Sequence, residues 1–246
     1  MENVFRIRSR LSNASSVCVL TGAGVSADSG VPTFRGKDGL WRNFRAEELA
    51  TPEAFSRDPK LVWEWYNWRR EIIATKSPNA AHLALAVMEK QSPSFTLITQ
   101  NVDGLHSKAG SKNLIEIHGN IWKVRCTACG CISINEDVPI PILPHCRQCN
   151  GFLRPHIVWF GESFDPADIT RSMDVLHRCN VLLVVGTSGI VQPAASFVSV
   201  AKSAGAYVIE VNIEAIPNSD LVDETLTGRA SEVVPLLINQ FEGSGL

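Results

Sequence analysis

Cys18-Val-Leu-Thr-Gly-Ala-Gly-Val-Ser-Ala-Asp-Ser-Gly-Val-Pro-Thr-Phe-Arg-Gly36 sets the frame for the whole chain. The apolar run 17–20 that leads into it has the length and β-branched character of a buried strand. It ends on Thr21-Gly22-Ala23-Gly24, small residues that let a backbone approach a ligand without a Cβ in the way. Backbone N–H groups of such a turn point outward and suit a phosphate. Gly22-x-Gly24-x-x-Ala27 is a variant of the dinucleotide fingerprint, although a tight structural turn explains this fragment alone equally well. The continuation Ser29-Gly-Val-Pro-Thr-Phe-Arg-Gly36 raises the odds of a ligand loop. An ordinary dinucleotide unit runs straight into a long amphipathic helix. This chain breaks again and carries Phe34 and Arg35, a ring and a cation, into the loop.

Further apolar runs at 95–99, 181–185 and 206–211 read as buried strands, separated by helical segments at 80–91, 165–179 and 194–204. A last helix is expected over 231–241. Strands alternating with helices imply an α/β fold with a parallel sheet. Each strand ends on polar or small residues: Gln100-Asn101-Val102-Asp103, Gly186-Thr187-Ser188 and Asn212-Ile213-Glu214. In an open α/β sheet that end is where ligands bind. Capping of the next turn is the competing explanation for Asn101 and Asp103.

The 246 residues, 45% of them hydrophobic, are enough for one large domain and a small module. A net charge of -2 gives no sign of a nucleic-acid surface or an anionic membrane as partner. No apolar run reaches the ~18 residues that a membrane span requires. Arg6, Arg8 and Arg10 near the start fit a helix with a basic face better than a targeting remnant.

Between 59 and 75, Leu61, Val62, Trp63, Trp65, Tyr66, Trp68, Ile72 and Ile73 occupy nearly every side of an expected helix, so it should be mostly enclosed. Core packing accounts for the three tryptophans. Tyr66 and Arg69 are three apart and share a face, where a phenol and a guanidinium form a ready carboxylate clamp. Thr51-Pro52 is a helix start and Asn79 an N-cap. His82 and His106 read as packing residues within helix and turn. His118 stands after a short apolar run and before Gly119; imidazole titrates near neutrality, as a general base requires.

Cys126-x-x-Cys129 and, sixteen residues on, Cys146-x-x-Cys149 supply four thiolates for one tetrahedral Zn²⁺. With no open position the zinc is structural and folds an insert too small for a core of its own. Cys18, Cys131 and Cys179 are read as non-ligands. The apolar segment Val158-Trp159-Phe160-Gly161-Glu162 is an edge able to pair with an extended peptide.

Taken together, GAGVSADSGVPTFRG (22–36), TQNVDGLH (99–106), IEIHGN (115–120), the two CxxC pairs, VVGTS (184–188) and VNIE (211–214) resemble the sirtuins, NAD-dependent protein-lysine deacylases, from about 17 to 232. The resemblance implies a Rossmann-like parallel sheet over 1–120 and 154–246, with a helical insert at about 37–80 contributing to the small domain. A four-cysteine zinc-binding module would occupy 121–153, and peptide would lie in the cleft between. It implies an NAD site of Gly22, Ala23, Gly24, Ser26, Ala27, Thr33, Phe34, Arg35, Trp41, Gln100, Asn101, Asp103, Gly186, Thr187, Ser188, Asn212, Glu214 and Ala230. His118 would be the catalytic base, with Asn101 beside it, and 158–162 would line the acyl-lysine channel. NAD would be a co-substrate, yielding nicotinamide, free lysine and O-acyl-ADP-ribose.

Most sirtuins have Asp where this chain has Thr33. With Ala46 and Tyr66-x-x-Arg69, that resembles the class III subgroup, which removes succinyl, malonyl and glutaryl groups. Such acyl groups end in a carboxylate, whose burial needs a charge-assisted partner. Arg69 would supply the fork, Tyr66 a hydroxyl and Ala46 the room. The expected partners are acyl-lysine proteins or peptides, the protein acting as a soluble intracellular monomer, in the cytoplasm ahead of the mitochondrial matrix. A deacetylase with little acidic preference and a non-catalytic NAD-sensing module are the alternatives. Protein ADP-ribosylation would use the same chemistry, and a dehydrogenase would leave the cysteine module unexplained.

Overall fold

A computed structural model describes residues 2–32, 44–214 and 219–238. Thr33, Phe34, Arg35 and Trp41 of the expected cofactor set lie outside the described residues. In chain order the strands are β1 (Val17–Thr21), β2 (Phe95–Thr99), β3 (Leu114–Glu116), β4 (Gly119–Cys126) and β5 (Ile132–Ile134). They continue with β6 (Leu153–Ile157), β7 (Val181–Val185), β8 (Tyr207–Asn212) and β9 (Glu224–Thr227). Six of them form one parallel sheet in the order β3-β2-β1-β7-β8-β9. The strand order therefore reverses between β1 and β7, as in a Rossmann sheet, and a crevice opens beyond their carboxyl ends.

The continuous apolar runs of β1, β2 and β7 follow from burial on both sides: every residue of these strands is buried. Alternate residues face opposite layers. Val17, Val19, Leu183 and Val185 pack with Ile7, Leu11 and Leu85 from the helices Glu2–Asn13 and Ala80–Gln91. Cys18, Leu20, Leu182 and Val184 pack with Leu176, Phe197 and Ala201 from Pro166–Leu176 and Ala194–Ser203. Each fully buried aliphatic side chain contributes about 1.5–3 kcal/mol. The expected helix starts are present. Thr51 Oγ1 accepts from Ala54 N at 3.0 Å, and Asn79 Oδ1 from Ala81 N at 2.9 Å.

A second, antiparallel sheet of three strands, β5-β4-β6, lies between β3 and β7 in sequence. Its core is shared with the helix Pro59–Ala74, whose Trp63, Trp65 and Tyr66 cluster with Ile121, Val124, Ile140 and Trp159. One stripe of that helix is tied to the backbone of this second unit. Trp63 Nε1 donates to Leu153 O at 3.0 Å, and Asn67 exchanges two hydrogen bonds with Ile140. Arg70, 1% exposed, donates to the carbonyls of Ile121, Asn135 and Asp137. The helix is thus enclosed as expected, but by polar anchoring as well as by tryptophan packing.

Three local expectations differ from the structure. The helix expected over 231–241 is a short one, Ala230–Val233, followed by a 3-10 turn at Val234–Leu237, because Pro235 has no N–H for an α-helical bond. The described residues end at 238. The apolar stretch at 158–162 is not a continuous edge strand. β6 stops at Ile157, and 159–162 turns back on itself with Glu162 N donating to Trp159 O at 3.0 Å and Gly161 at φ +84°. The short strands β3 and β9 extend the sheet by one position at each end beyond the four expected strands. Among the described residues no helix is long and apolar enough to cross a membrane.

Candidate active site and cysteine cluster

The carboxyl ends of β1 and β7 meet through their glycines. Gly24 N donates to Gly186 O at 2.8 Å, and a Cβ on Gly24 would lie 2.8 Å from the Gly186 Cα. A Cβ on Gly22 would fall equally close to the Thr187 Cα. The glycines are therefore required by two loops closing on one another, in addition to any ligand. Gln100, at the end of β2, joins them by donating to Thr187 Oγ1 at 2.9 Å, and Asn212, ending β8, donates to Thr187 O at 2.8 Å. Ser188 and Glu214 are exposed beside them. Ala230 is buried, and its neighbours Arg229 and Ser231 both donate to Asp28, just past the short helix Gly24–Ala27 that ends on Ala27.

Beneath this loop lies a small pocket lined by Ala23, Ser26, Val31 and Pro32 together with Arg69, Asn101, Val102 and Asp103. Its polar groups form one directional array. Asn101 Nδ2 donates to Gly22 O at 3.0 Å and to Ser26 Oγ at 3.1 Å. Ser26 Oγ donates to Asp103 Oδ2 at 2.7 Å, and Asp103 Oδ1 accepts from Leu105 N. Burial raises the Asp103 carboxyl above its ordinary range, while those two hydrogen bonds and Arg69 pull it back down. Asn101 and Asp103 thus belong to the pocket rather than only capping a turn.

His82 extends the array from behind. It is fully buried, its Nδ1 accepts from Asn79 N at 3.3 Å, and its Nε2 lies 3.3 Å from Ser26 Oγ. An acceptor Nδ1 places the proton of the neutral ring on Nε2, which then donates to Ser26. Reading His82 as a packing residue missed this link, since Ser26 is 56 positions away. His106 packs against His82 with ring centroids 4.7 Å apart and contacts Thr21 Oγ1 at 3.0 Å. It supports the end of β1 and does not line the pocket.

His118 stands between the two sheets. Its Nδ1 is 2.8 Å from the Gln100 carbonyl, which can only accept, so the proton sits on Nδ1 and Nε2 keeps its lone pair. Burial lowers its pKa, and the Gln100 hydrogen bond partly opposes that shift. Gly119 must be glycine. It adopts φ +84°, and a Cβ there would meet the His156 carbonyl oxygen at 2.1 Å where β4 crosses β6.

Next to His118, Val158 N donates to the His118 carbonyl and Phe160 N to the Ala50 carbonyl, both at 2.9 Å. The Phe160 ring is half exposed. The Glu162 carboxylate takes two hydrogen bonds from Arg154 and one from Trp159 N, so it is committed within the protein. Tyr66 and Arg69 are both buried, and Tyr66 shares its cluster with Ala46. Trp159 Nε1 donates to Tyr66 Oη at 2.8 Å. Burial drives the Tyr66 hydroxyl up to about 12, so it stays protonated at any working pH. The Arg69 pKa is pulled down by burial, with Tyr66 and Asp103 acting against that.

The Sγ atoms of Cys126, Cys129, Cys146 and Cys149 all lie within 4.8 Å of one another. Tetrahedral thiolates at Zn–S ≈ 2.3 Å stand roughly 3.8 Å apart, so the cluster suits one Zn²⁺. Each pair is a knuckle. Ala128 N donates to Cys126 Sγ and Gln148 N to Cys146 Sγ, and each second cysteine is followed by a left-handed residue, Gly130 or Asn150. Cys18, Cys131 and Cys179 stand outside the cluster, as expected; burial raises the Cys18 and Cys179 thiols.

Comparison with known proteins agrees with this geometry. The profile of the Sir2 family matches residues 22–193. An NAD-dependent protein deacylase of Aquifex aeolicus is 55% identical over 217 residues, covering 88% of this chain and 91% of its own. One from Pyrococcus furiosus is 50% identical, covering 94% of each. Among solved structures, a Sir2 homologue in complex with NAD superposes with a TM-score of 0.90 at 46% identity, covering 95% of this chain and 91% of that one.

Proposed function

The chain belongs to the Sir2 family and is an NAD-dependent protein-lysine deacylase; we propose that the acyl groups it prefers end in a carboxylate, namely succinyl, malonyl or glutaryl. The observation that carries this preference is the pairing of Tyr66 and Arg69, buried on one face of the helix Pro59–Ala74. A buried guanidinium favours an anion beside it, and a phenol kept protonated can donate to the same anion. Ala46, small and buried in the same cluster, leaves room. A plain deacetylase, whose acyl group ends in a methyl, would have no use for two buried donors on one face.

NAD, once bound, supplies an electrophilic ribose carbon and nicotinamide as leaving group. The residues suited to hold it are those of the β1–β7 crevice, Gly22, Ala23, Gly24, Gln100, Thr187 and Asn212, with Ser26, Asn101 and Asp103 around its nicotinamide end. The chain's own part in the chemistry falls to His118. Its Nε2 lone pair, fixed by the Gln100 bond, takes a proton from a ribose hydroxyl, and burial keeps the ring neutral enough to do so. Asn101 spends its Nδ2 on Gly22 and Ser26, which leaves its Oδ1 to orient a hydroxyl or water. Val158 to Glu162 flank the acyl-lysine, and the four-cysteine cluster, none of whose residues lines the pocket, would hold one zinc in a structural role.

The test is a paired assay on one peptide carrying succinyl-lysine or acetyl-lysine, with and without NAD, followed by mass spectrometry. Succinyl is expected to be removed faster, and Arg69→Met should cut the succinyl rate by about a hundredfold, the cost of losing a charged hydrogen-bond partner. Faster loss of acetyl in the wild-type protein would leave a deacylase without the acidic preference.

A further inference from the structure

Tyr66 is held by a neighbour whose chemistry is one-sided. Indole Nε1–H is a donor only, so at 2.8 Å from Tyr66 Oη it must use a lone pair of the phenol oxygen. The phenol is left with its own proton to give. Among the described residues Tyr66 Oη donates to no acceptor, although the side chain is only 2% exposed. Hydroxyls that are fully buried ordinarily find a partner for that proton.

Trp159 cannot readily turn away from this arrangement. The Arg154 guanidinium lies 3.3 Å from its ring centroid, and Phe55 packs at 5.3 Å. Its backbone N–H donates to Glu162 Oε2 at 2.9 Å, and Glu162 is gripped in turn by both terminal nitrogens of Arg154. Backbone and ring are therefore fixed by one ion pair, which orients Nε1–H on Tyr66.

We propose that Trp159 is a positioning residue for acyl selectivity: by occupying the acceptor side of Tyr66 it makes that hydroxyl an obligate donor and so selects acyl groups ending in an anionic or strongly accepting oxygen. Beside Arg69, which also only donates, Tyr66 then presents a pair of donors to the end of the acyl chain. An acyl chain ending in a hydrogen-bond donor, such as an amine, would leave these two donors without an acceptor and be disfavoured. This inference rests on the acidic-acyl preference proposed above.

The experiment compares the ratio of kcat/KM for succinyl-lysine over acetyl-lysine in four proteins: wild type, Tyr66→Phe, Trp159→Phe and the double variant. A fifth carries at 159 the benzothienyl isostere of tryptophan, which keeps the bicyclic shape but lacks the N–H, so the question survives if Trp159→Phe misfolds. Tyr66→Phe should lower the ratio about tenfold and the isostere about threefold to tenfold, through KM for the succinyl peptide, the range of one charge-assisted hydrogen bond. In the Tyr66→Phe background, Trp159→Phe should not lower the ratio further. A ratio that falls in Tyr66→Phe but is unchanged by the isostere would overturn the role of Trp159 and leave the clamp standing. A ratio unmoved by Tyr66→Phe would overturn the clamp and this inference with it.

Discussion

Along β1 every side chain from Val17 to Thr21 is buried, whereas β5 of the cysteine-bearing unit leaves Ile132, Ser133 and Ile134 all exposed. The parallel sheet has an apolar layer packed on each face. The small antiparallel unit has half a core, completed by the helix Pro59–Ala74, and a four-thiolate cluster at its far end. The contrast teaches where each part of the site draws its rigidity. The NAD crevice is set by packing and by glycines that let strand ends touch. The acyl pocket depends on a helix hung from the metal-bearing unit by Trp63, Asn67 and Arg70.

Metal removal should break that contrast most severely. Structural zinc is worth roughly 10–16 kcal/mol of apparent binding energy in small modules, which is folding energy for a unit of this kind. Stripping the metal with a strong chelator, or Cys129→Ser, is expected to release one zinc per chain, open 121–153 to limited proteolysis and abolish deacylation. Far-UV circular dichroism should retain most of the helical signal of the parallel-sheet domain. A module that stays resistant to protease without metal would show that its shared core suffices alone.

His118→Tyr probes the seam between the two units. Turnover should fall about 10²- to 10⁴-fold, the usual contribution of a positioned base. Zinc content and cooperative unfolding should remain as in the wild type. Near-normal activity would dismiss His118 as the base.

The smallest effect concerns the buried array behind the crevice. Burial lowers the His82 pKa to about 4, against about 6.5 for an unperturbed histidine. The unfolded chain therefore binds this proton more readily than the folded one. Its contribution to stability is complete above about pH 6.5 and is lost as pH falls toward 4, by about 3 kcal/mol in all. His82→Gln should flatten that part of the stability profile measured by thermal unfolding. An unchanged acid limb would assign the loss to other groups.

Much of the site could be read in the chain because its parts are local. Gly22-Ala23-Gly24 follows an apolar run, Gln100 to Asp103 follows another, and the two CxxC pairs carry metal chemistry in their spacing. Local patterning also predicted the helices at 59–75 and 80–91, and for the second its N-cap Asn79. It overran at 231–241, where Pro235 outweighs a helical apolar pattern, and at 158–162, where Gly161 and the grip of Glu162 on Trp159 N make a turn out of an apolar run.

Strand order, the coupling of His82 to Ser26 and the bond from Trp159 to Tyr66 were decided by tertiary structure. The last of these joins residues 93 positions apart. Periodicity reports which face of an element is apolar, and motif spacing reports chemistry within a few turns of chain. Neither reports which buried polar group meets which, because that depends on how whole layers settle against one another. The sequence by itself determined the apolar strands, the loop chemistry and the metal ligands; only packing decided the direction in which each buried proton points.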